Sequence, residues 1–448
     1  MIEHEEQYIK MTQTPVQKLI LSLAVPTIVS MLITSIYNMA DTYFVSKLGT
    51  SASGAIGIVL SIMAIIQAVG FAVGMGSASH ISIFLGEEEN EKADTFATSA
   101  VIMAFVLGII LGAVGFCYNE ALMKFLGSTD TILPFAMEYG KYILIAAPFM
   151  CTGFVLDNLL RAEGKAKLAM VGLASGGVLN IILDFVLIFG LNLGIKGAGI
   201  STAISQILSC GILMYWFFAK KTTLHIIVSK IAKSPKTYFE IIKNGMPSFS
   251  RQGLASVANV LLNMAAAGYG DSAVAGMSIV GRVFMFIFSI IIGFVQGYNP
   301  VAGYNYGAEK MRRVKKAFVF TLITGTIFMT AFGVAVYLYA GDILNWFIGK
   351  DAYAVEIGSK ALKYQCFALP LISITVLCNM TYQAMGKSLS ATFLASCRQG
   401  VFFIPAIYIL PQIFGITGIE AAQPFADIAT ALCCVPFMVH FFKIMKGR

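Results

Sequence analysis

The chain is a succession of apolar stretches, each of the length needed to cross a bilayer, about 20 residues. They fall near 19–45, 54–84, 94–116, 134–157, 168–189, 195–219, 238–267, 276–302, 316–340, 359–383, 388–410 and 416–442. No period-2 alternation marks a membrane barrel. With 58% hydrophobic and 12% charged residues, the 448-residue chain cannot cover a soluble surface, for which about a quarter of residues are charged. The expected fold is all-α and polytopic, with about twelve transmembrane helices. The first stretch exceeds the apolar core of a signal peptide and is expected to remain as a span.

The net charge of +8 is explained by position. If the N-terminus is inside, 21 basic residues fall in inner segments; six (Lys47, Lys124, Lys196, Lys350, Lys360 and Lys363) fall in outer ones. The positive-inside rule then places both termini in the cytoplasm and the protein in the cell membrane. Nucleic acid is not an expected partner; membrane lipids are. Eight cysteines without a CxxC pair imply neither a disulfide framework nor a zinc site.

An internal repeat is visible within the chain itself. A shift of 221 pairs Pro26 with Pro247, Asn38 with Asn259, Gly49 with Gly270, Gly76 with Gly297 and Gly86 with Gly307. A shift of 222 pairs Tyr142 with Tyr364, Pro148 with Pro370 and Gly164 with Gly386. The expected organisation is a six-helix N-terminal lobe over 1–218, a basic cytoplasmic linker over 219–244 and a six-helix lobe over 245–448. Six is even, so the repeats are parallel, about an axis along the membrane normal. Two such bundles enclose a cleft that rocking opens to alternate sides, as in secondary transporters.

Enzyme signatures fail one by one, and the chain is read as a non-enzyme. Neither HExxH nor GxSxG occurs. Gly386-Lys387-Ser388 lacks the first glycine of a phosphate loop, because Thr381 stands there. Without a nucleotide site and with no organic cofactor expected, an ion gradient must supply the energy.

Charges inside the spans are costly and point to function or pairing. At 1.5 Å per residue, Asp41 lies roughly 6 Å from the outer end of its span, Asp184 roughly 9 Å and Thr202 roughly 10 Å, with Asn180 one turn from Asp184. Two carboxylates, an amide and a hydroxyl at one level are hard oxygen donors suited to H+ or Na+, and Na+ there is the one metal ion expected. Arg398 and Asp427 share a depth of about 17–18 Å and are expected to pair within the C-terminal lobe. The repeat maps Asp41 onto Leu262, so the second half lacks the first half's carboxylates.

Asn38-Met39-Ala40-Asp41-Thr42-Tyr43-Phe44-Val45, Arg161-Ala162-Glu163-Gly164-Lys165 and the segment Gly194 to Ala203 resemble the multidrug and toxic compound extrusion (MATE) family. The resemblance implies V-shaped lobes and a cation-coupled antiporter that expels cationic, amphipathic compounds. It also implies a coupling site at Asp41, Asn180, Asp184 and Thr202, and a first helix that bends at Pro26. A monomer is expected. The alternative is an exporter or flippase of a lipid-linked or anionic metabolite, with Arg251, Arg282 and Arg398 facing the cleft. A channel is a weaker reading, since no filter-like segment occurs.

Overall fold

A computed structural model describes residues 2–349 and 351–445. Lys350, Lys446 and Arg448, which enter the charge asymmetry, lie outside the described residues. A short helix α1 (Ile2–Gln13) precedes the first repeat: α2 (Val16–Ser46), α3 (Thr50–Gly86), α4 (Asn90–Cys117), the short α5 (Asn119–Phe125), α6 (Leu133–Ala162), α7 (Ala166–Asp184) and α8 (Gly194–Phe218). The second repeat follows the linker with α9 (Pro235–Ala267), α10 (Asp271–Gly307), α11 (Met311–Leu338), the short α12 (Ala340–Ile348), α13 (Ala352–Ala384), α14 (Ser388–Ser396), α15 (Ile404–Phe414) and α16 (Ile416–Ile444). No strand occurs among the described residues.

Eleven helical segments among the described residues are long and apolar enough to cross a membrane, counting α14 and α15 as one. The remaining long helix, α9, has 33 residues and carries Lys236, Glu240, Lys243 and Arg251, which lower its hydropathy. It completes the twelve-span pattern read from the sequence. Even the short helices obey the repeat: α5 begins at Asn119 and α12 at Ala340, 221 residues apart.

The repeats meet through glycines that admit backbone against backbone. A methyl on Gly86 would collide with the Tyr304 carbonyl, and one on Gly307 with the Ile83 carbonyl. These are one contact seen twice, because 83 and 304 are also related by 221. Gly76 abuts Gly245, and its repeat mate Gly297 abuts Ala24, the mate of Gly245. Gly293 lies on Ile28. All these crossings fall in the halves of α2, α3, α9 and α10 nearest the linker.

Beyond Ser35 and Ser289, whose hydroxyl oxygens are 3.4 Å apart, the repeats part. Met39, Met264 and Met285 there are 56%, 66% and 70% exposed. The result is a V that is sealed on the linker side and open opposite.

Three polar groups reinforce the seal. Arg161 grips Asp157 in its own helix at 2.9 and 3.0 Å and donates to Gln296 of α10 at 3.0 Å. The Glu163 carboxylate accepts from the Thr223 and Leu224 amides and the Thr223 hydroxyl, tying the linker down. Helix α1 straps both repeats. Its Gln7 amide donates to the Glu163 carbonyl, while Asn305 donates to the Met11 carbonyl at 3.1 Å and Arg313 to the Thr14 carbonyl at 2.6 Å. Gly164, in a left-handed turn with φ of +81°, leaves the space that Gln7 and Met11 occupy.

Candidate functional site

Four helices of the first repeat, α2, α6, α7 and α8, converge on Asp41, Tyr139, Asn180, Asp184 and Thr202, all buried. Small residues let them approach. Gly177 of α7 takes Ile33 and Tyr37 of α2 against its backbone, and Gly199 of α8 receives the rings of Tyr139 and Tyr142. Helix α7 ends at Asp184 and the chain continues as a wide π-helical turn, Phe185–Gly190. Such turns recur at functional sites because they displace side chains from the regular helical register.

The polar contacts form a chain. The Tyr139 hydroxyl donates to Asp41 Oδ2 at 2.8 Å and lies 3.4 Å from Thr202 Oγ1. Asn180 Nδ2 donates to Ser201 Oγ at 3.1 Å and to Thr202 Oγ1 at 3.4 Å, and Ser201 Oγ returns a bond to the Asn180 carbonyl at 3.0 Å. Four oxygens remain buried without a hydrogen-bond partner: Asp41 Oδ1, Asn180 Oδ1 and both carboxylate oxygens of Asp184. Asp184 is also within Coulombic reach of Asp41.

A buried polar atom without a partner costs about 1–3 kcal/mol, more if charged. Four at one place form a donor set that a proton or a small hard cation would satisfy. Among the described residues no group of three or more His, Cys, Asp or Glu gathers as a transition-metal site would.

Tyr139 and the bonding role of Ser201 are absent from the sequence-derived set. A signal for Tyr139 exists: it lies six residues into α6, roughly 9 Å from the helix start, the level of Asp184. Pro26 is buried in α2, which continues as one helix from Val16 to Ser46, and the Pro26 carbonyl accepts from Ser30 Oγ at 2.9 Å.

Arg398 and Asp427 lie apart from this cluster, in the second repeat. Arg398 Nε donates to Asp427 Oδ1 at 2.6 Å, while Gln365 and Gln423 donate to the same carboxylate at 2.6 and 3.0 Å. The Arg398 guanidinium also stands 5.1 and 4.8 Å from the Phe284 and Phe288 ring centres. A carboxylate this fully engaged offers little to a coupling ion.

With this geometry in place, the comparisons bear on the whole chain. A multidrug export protein MepA from Staphylococcus saprophyticus is 30% identical over 434 residues, covering 96% of this chain and 95% of that protein. Among solved structures, a MATE in complex with MaL6 is 23% identical with a TM-score of 0.93, covering 98% of this chain and 99% of that one. An outward-facing multidrug resistance MATE transporter of the MOP superfamily is 24% identical with a TM-score of 0.92, again covering 98% and 99%. Residues 26–186 and 247–409 each match the MatE family, one match per repeat. The chain therefore belongs to the MatE family and is a multi-pass membrane protein.

Proposed function

We propose that the protein is a secondary active antiporter that exports organic cationic or amphipathic compounds in exchange for H+ or Na+. The observation that carries this reading is the set of four unpartnered buried oxygens on Asp41, Asn180 and Asp184. Two carboxylates within reach of each other in a dry lobe repel, and a bound cation discharges that repulsion. The lobe then repacks around Pro26 and favours the state that releases the exported compound. An ion drives such a shift only through its different affinity for the two states. Thr202 and Tyr139 hold the carboxylates and the amide in register.

In this reading residues 1–218 are the ion-coupled lobe, 219–244 a cytoplasmic linker and 245–448 the second lobe. Both termini face the cytoplasm of a cell membrane, and the monomer is the working unit. Efflux of a fluorescent cation from proteoliposomes, under sodium and pH gradients imposed separately, identifies the coupling ion. Asp41→Asn and Asp184→Asn are expected to fold and reach the membrane yet lose gradient-driven efflux by at least tenfold. Wild-type uphill efflux by either folded variant removes that aspartate from the coupling.

A further inference from the structure

The duplication repeats the spaces between helices as well as the helices. In the first repeat, the space beside the start of α4 is filled by the linker. The His225 amide donates to Asp94 Oδ1 and Lys230 Nζ to Asp94 Oδ2, both at 2.8 Å. The Ile227 and Ala232 amides donate to the hydroxyls of Thr98 and Ser99 at 3.2 and 2.9 Å. Tyr238, in the first turn of α9, bounds the other side by donating to the Ala232 carbonyl at 3.0 Å. An acidic, hydroxyl-bearing wall thus holds a segment of peptide that carries a lysine.

A shift of 221 carries this wall onto α11 and changes its chemistry. Glu91, Asp94 and Thr95 map onto Arg312, Lys315 and Lys316, Thr98 and Ser99 onto Val319 and Phe320, and Tyr238 of α9 answers to Gln17 of α2. Here the space is open. A groove of about 450 Å³ runs from Gln17 along α11, its head lined by the three cations and its foot by Val319, Phe320 and Ile323. Ile323 is 53% exposed and lies eleven residues beyond Arg312, roughly 16 Å along the helix and so well into the apolar layer.

The three cations are uncommitted, whereas others on the linker side are engaged. Arg161 holds Asp157, Lys230 holds Asp94, and Arg313 donates to Asn305 and to the Thr14 carbonyl. Arg312, Lys315 and Lys316 form no ion pair among the described residues. Lys315 stands 5.8 Å from the Phe442 ring centre, and α11 contains no acidic residue. Like charges one turn apart on a helix repel, and a bound anion discharges that repulsion.

We infer that this groove binds a phospholipid with an anionic headgroup, the phosphate received by Arg312, Lys315 and Lys316 and an acyl chain laid along Val319, Phe320 and Ile323. Basic residues at a membrane face attract anionic lipid in general. This groove differs in holding three unpaired cations directly above an apolar track in one cavity, the polarity of a phospholipid read from head to tail. The contrast with the first repeat supports the assignment: where the wall is acidic and hydroxyl-bearing it takes peptide, and where it is basic and apolar it is complementary to lipid.

Native mass spectrometry of the full chain in detergent micelles, titrated with phosphatidylglycerol or phosphatidylcholine of identical acyl chains, reads the affinity of the retained lipid. The wild type is expected to hold one phosphatidylglycerol about tenfold more tightly than phosphatidylcholine. Arg312→Gln combined with Lys316→Gln, both exposed, should bring that ratio below about threefold. Lys233→Gln combined with Lys243→Gln removes two exposed cations outside the groove and should leave it unchanged. A wild-type ratio near one overturns the inference, and so does an equal change in the two double variants, which would make the preference a matter of net charge. Should the groove double variant fail to fold, Lys316→Gln alone decides, an undiminished ratio counting against the site. Ile323→Asn is expected to weaken phosphatidylglycerol binding several-fold, and unchanged affinity there overturns the apolar track. Glycerophosphoglycerol carries the same phosphate without acyl chains; if it displaces the lipid at equal concentration, the groove takes a free anion and the lipid reading falls.

Discussion

Asp41 has one oxygen tied to a phenol and the other bare, and this asymmetry sets what Tyr139 does. A hydrogen bond to a charged group contributes about 1.5–3 kcal/mol, so Tyr139 fixes which Asp41 oxygen faces Asn180 and Asp184. Tyr139→Phe keeps the ring that fills the space beside Gly199 and removes only the hydroxyl. It should therefore fold normally, with a melting temperature near that of the wild type, while initial gradient-driven efflux falls about tenfold; unchanged efflux would show that the phenol merely fills space. At this scale the sequence was partly legible. Charges within spans stand out because each needs a reason, and helical rise alone brings Asp41, Asp184 and Thr202 to one level. Tyr139 does not stand out among 18 tyrosines, because its importance depends on α6 packing against α8, which brings the phenol to Asp41 of α2 and which no local pattern encodes.

Among the elements, the helix crossings near the linker follow directly from the repeated glycines. Gly76 with Gly297 and Gly86 with Gly307 are readable as a duplication, and in the fold they become reciprocal contacts about a pseudo-two-fold axis. Forcing a methyl into such a contact costs about 1–3 kcal/mol. Gly86→Ala and Gly307→Ala should thus destabilise the sealed seam alike, lengthening spin-label distances between the linker-side ends of α3 and α10. Gly281→Ala, where an added methyl meets nothing within 4 Å, is the control and should leave the distances unchanged. Equal distances in all three variants would mean that the glycines are not what closes the seam. Helix α1 was not legible in this way. Its anchors to the second repeat are the carbonyls of Met11, Gln13 and Thr14, and backbone acceptors have no residue signature.

Across the whole molecule, Glu163 is where the first repeat, the linker and α1 come together, outside the spanning helices. Burial pushes its carboxyl up to about 7 from an ordinary 4.5, although Lys165 and three donors favour the charged form. Between those values the folded state binds the proton more tightly than the unfolded chain does, so stability is highest below about 4.5 and declines as pH rises to about 7. The loss amounts to about 3 kcal/mol at most. Melting curves recorded from pH 4.5 to 8 should show this decline in the wild type and lack that component in Glu163→Gln; identical slopes would mean that the linker contact carries no proton linkage. The strap over Glu163 has another consequence, set by the order of synthesis. Helix α1 leaves the ribosome before either repeat, yet the second-repeat residues that hold it, Asn305 and Arg313, lie 294 and 299 residues beyond the carbonyls they bond. At about 5–20 residues per second, α1 waits tens of seconds for them. A nascent chain that stalls before residue 305 can rest α1 on Glu163 but not on the second repeat, so a fully closed strap requires that the second repeat has been made and inserted through α10.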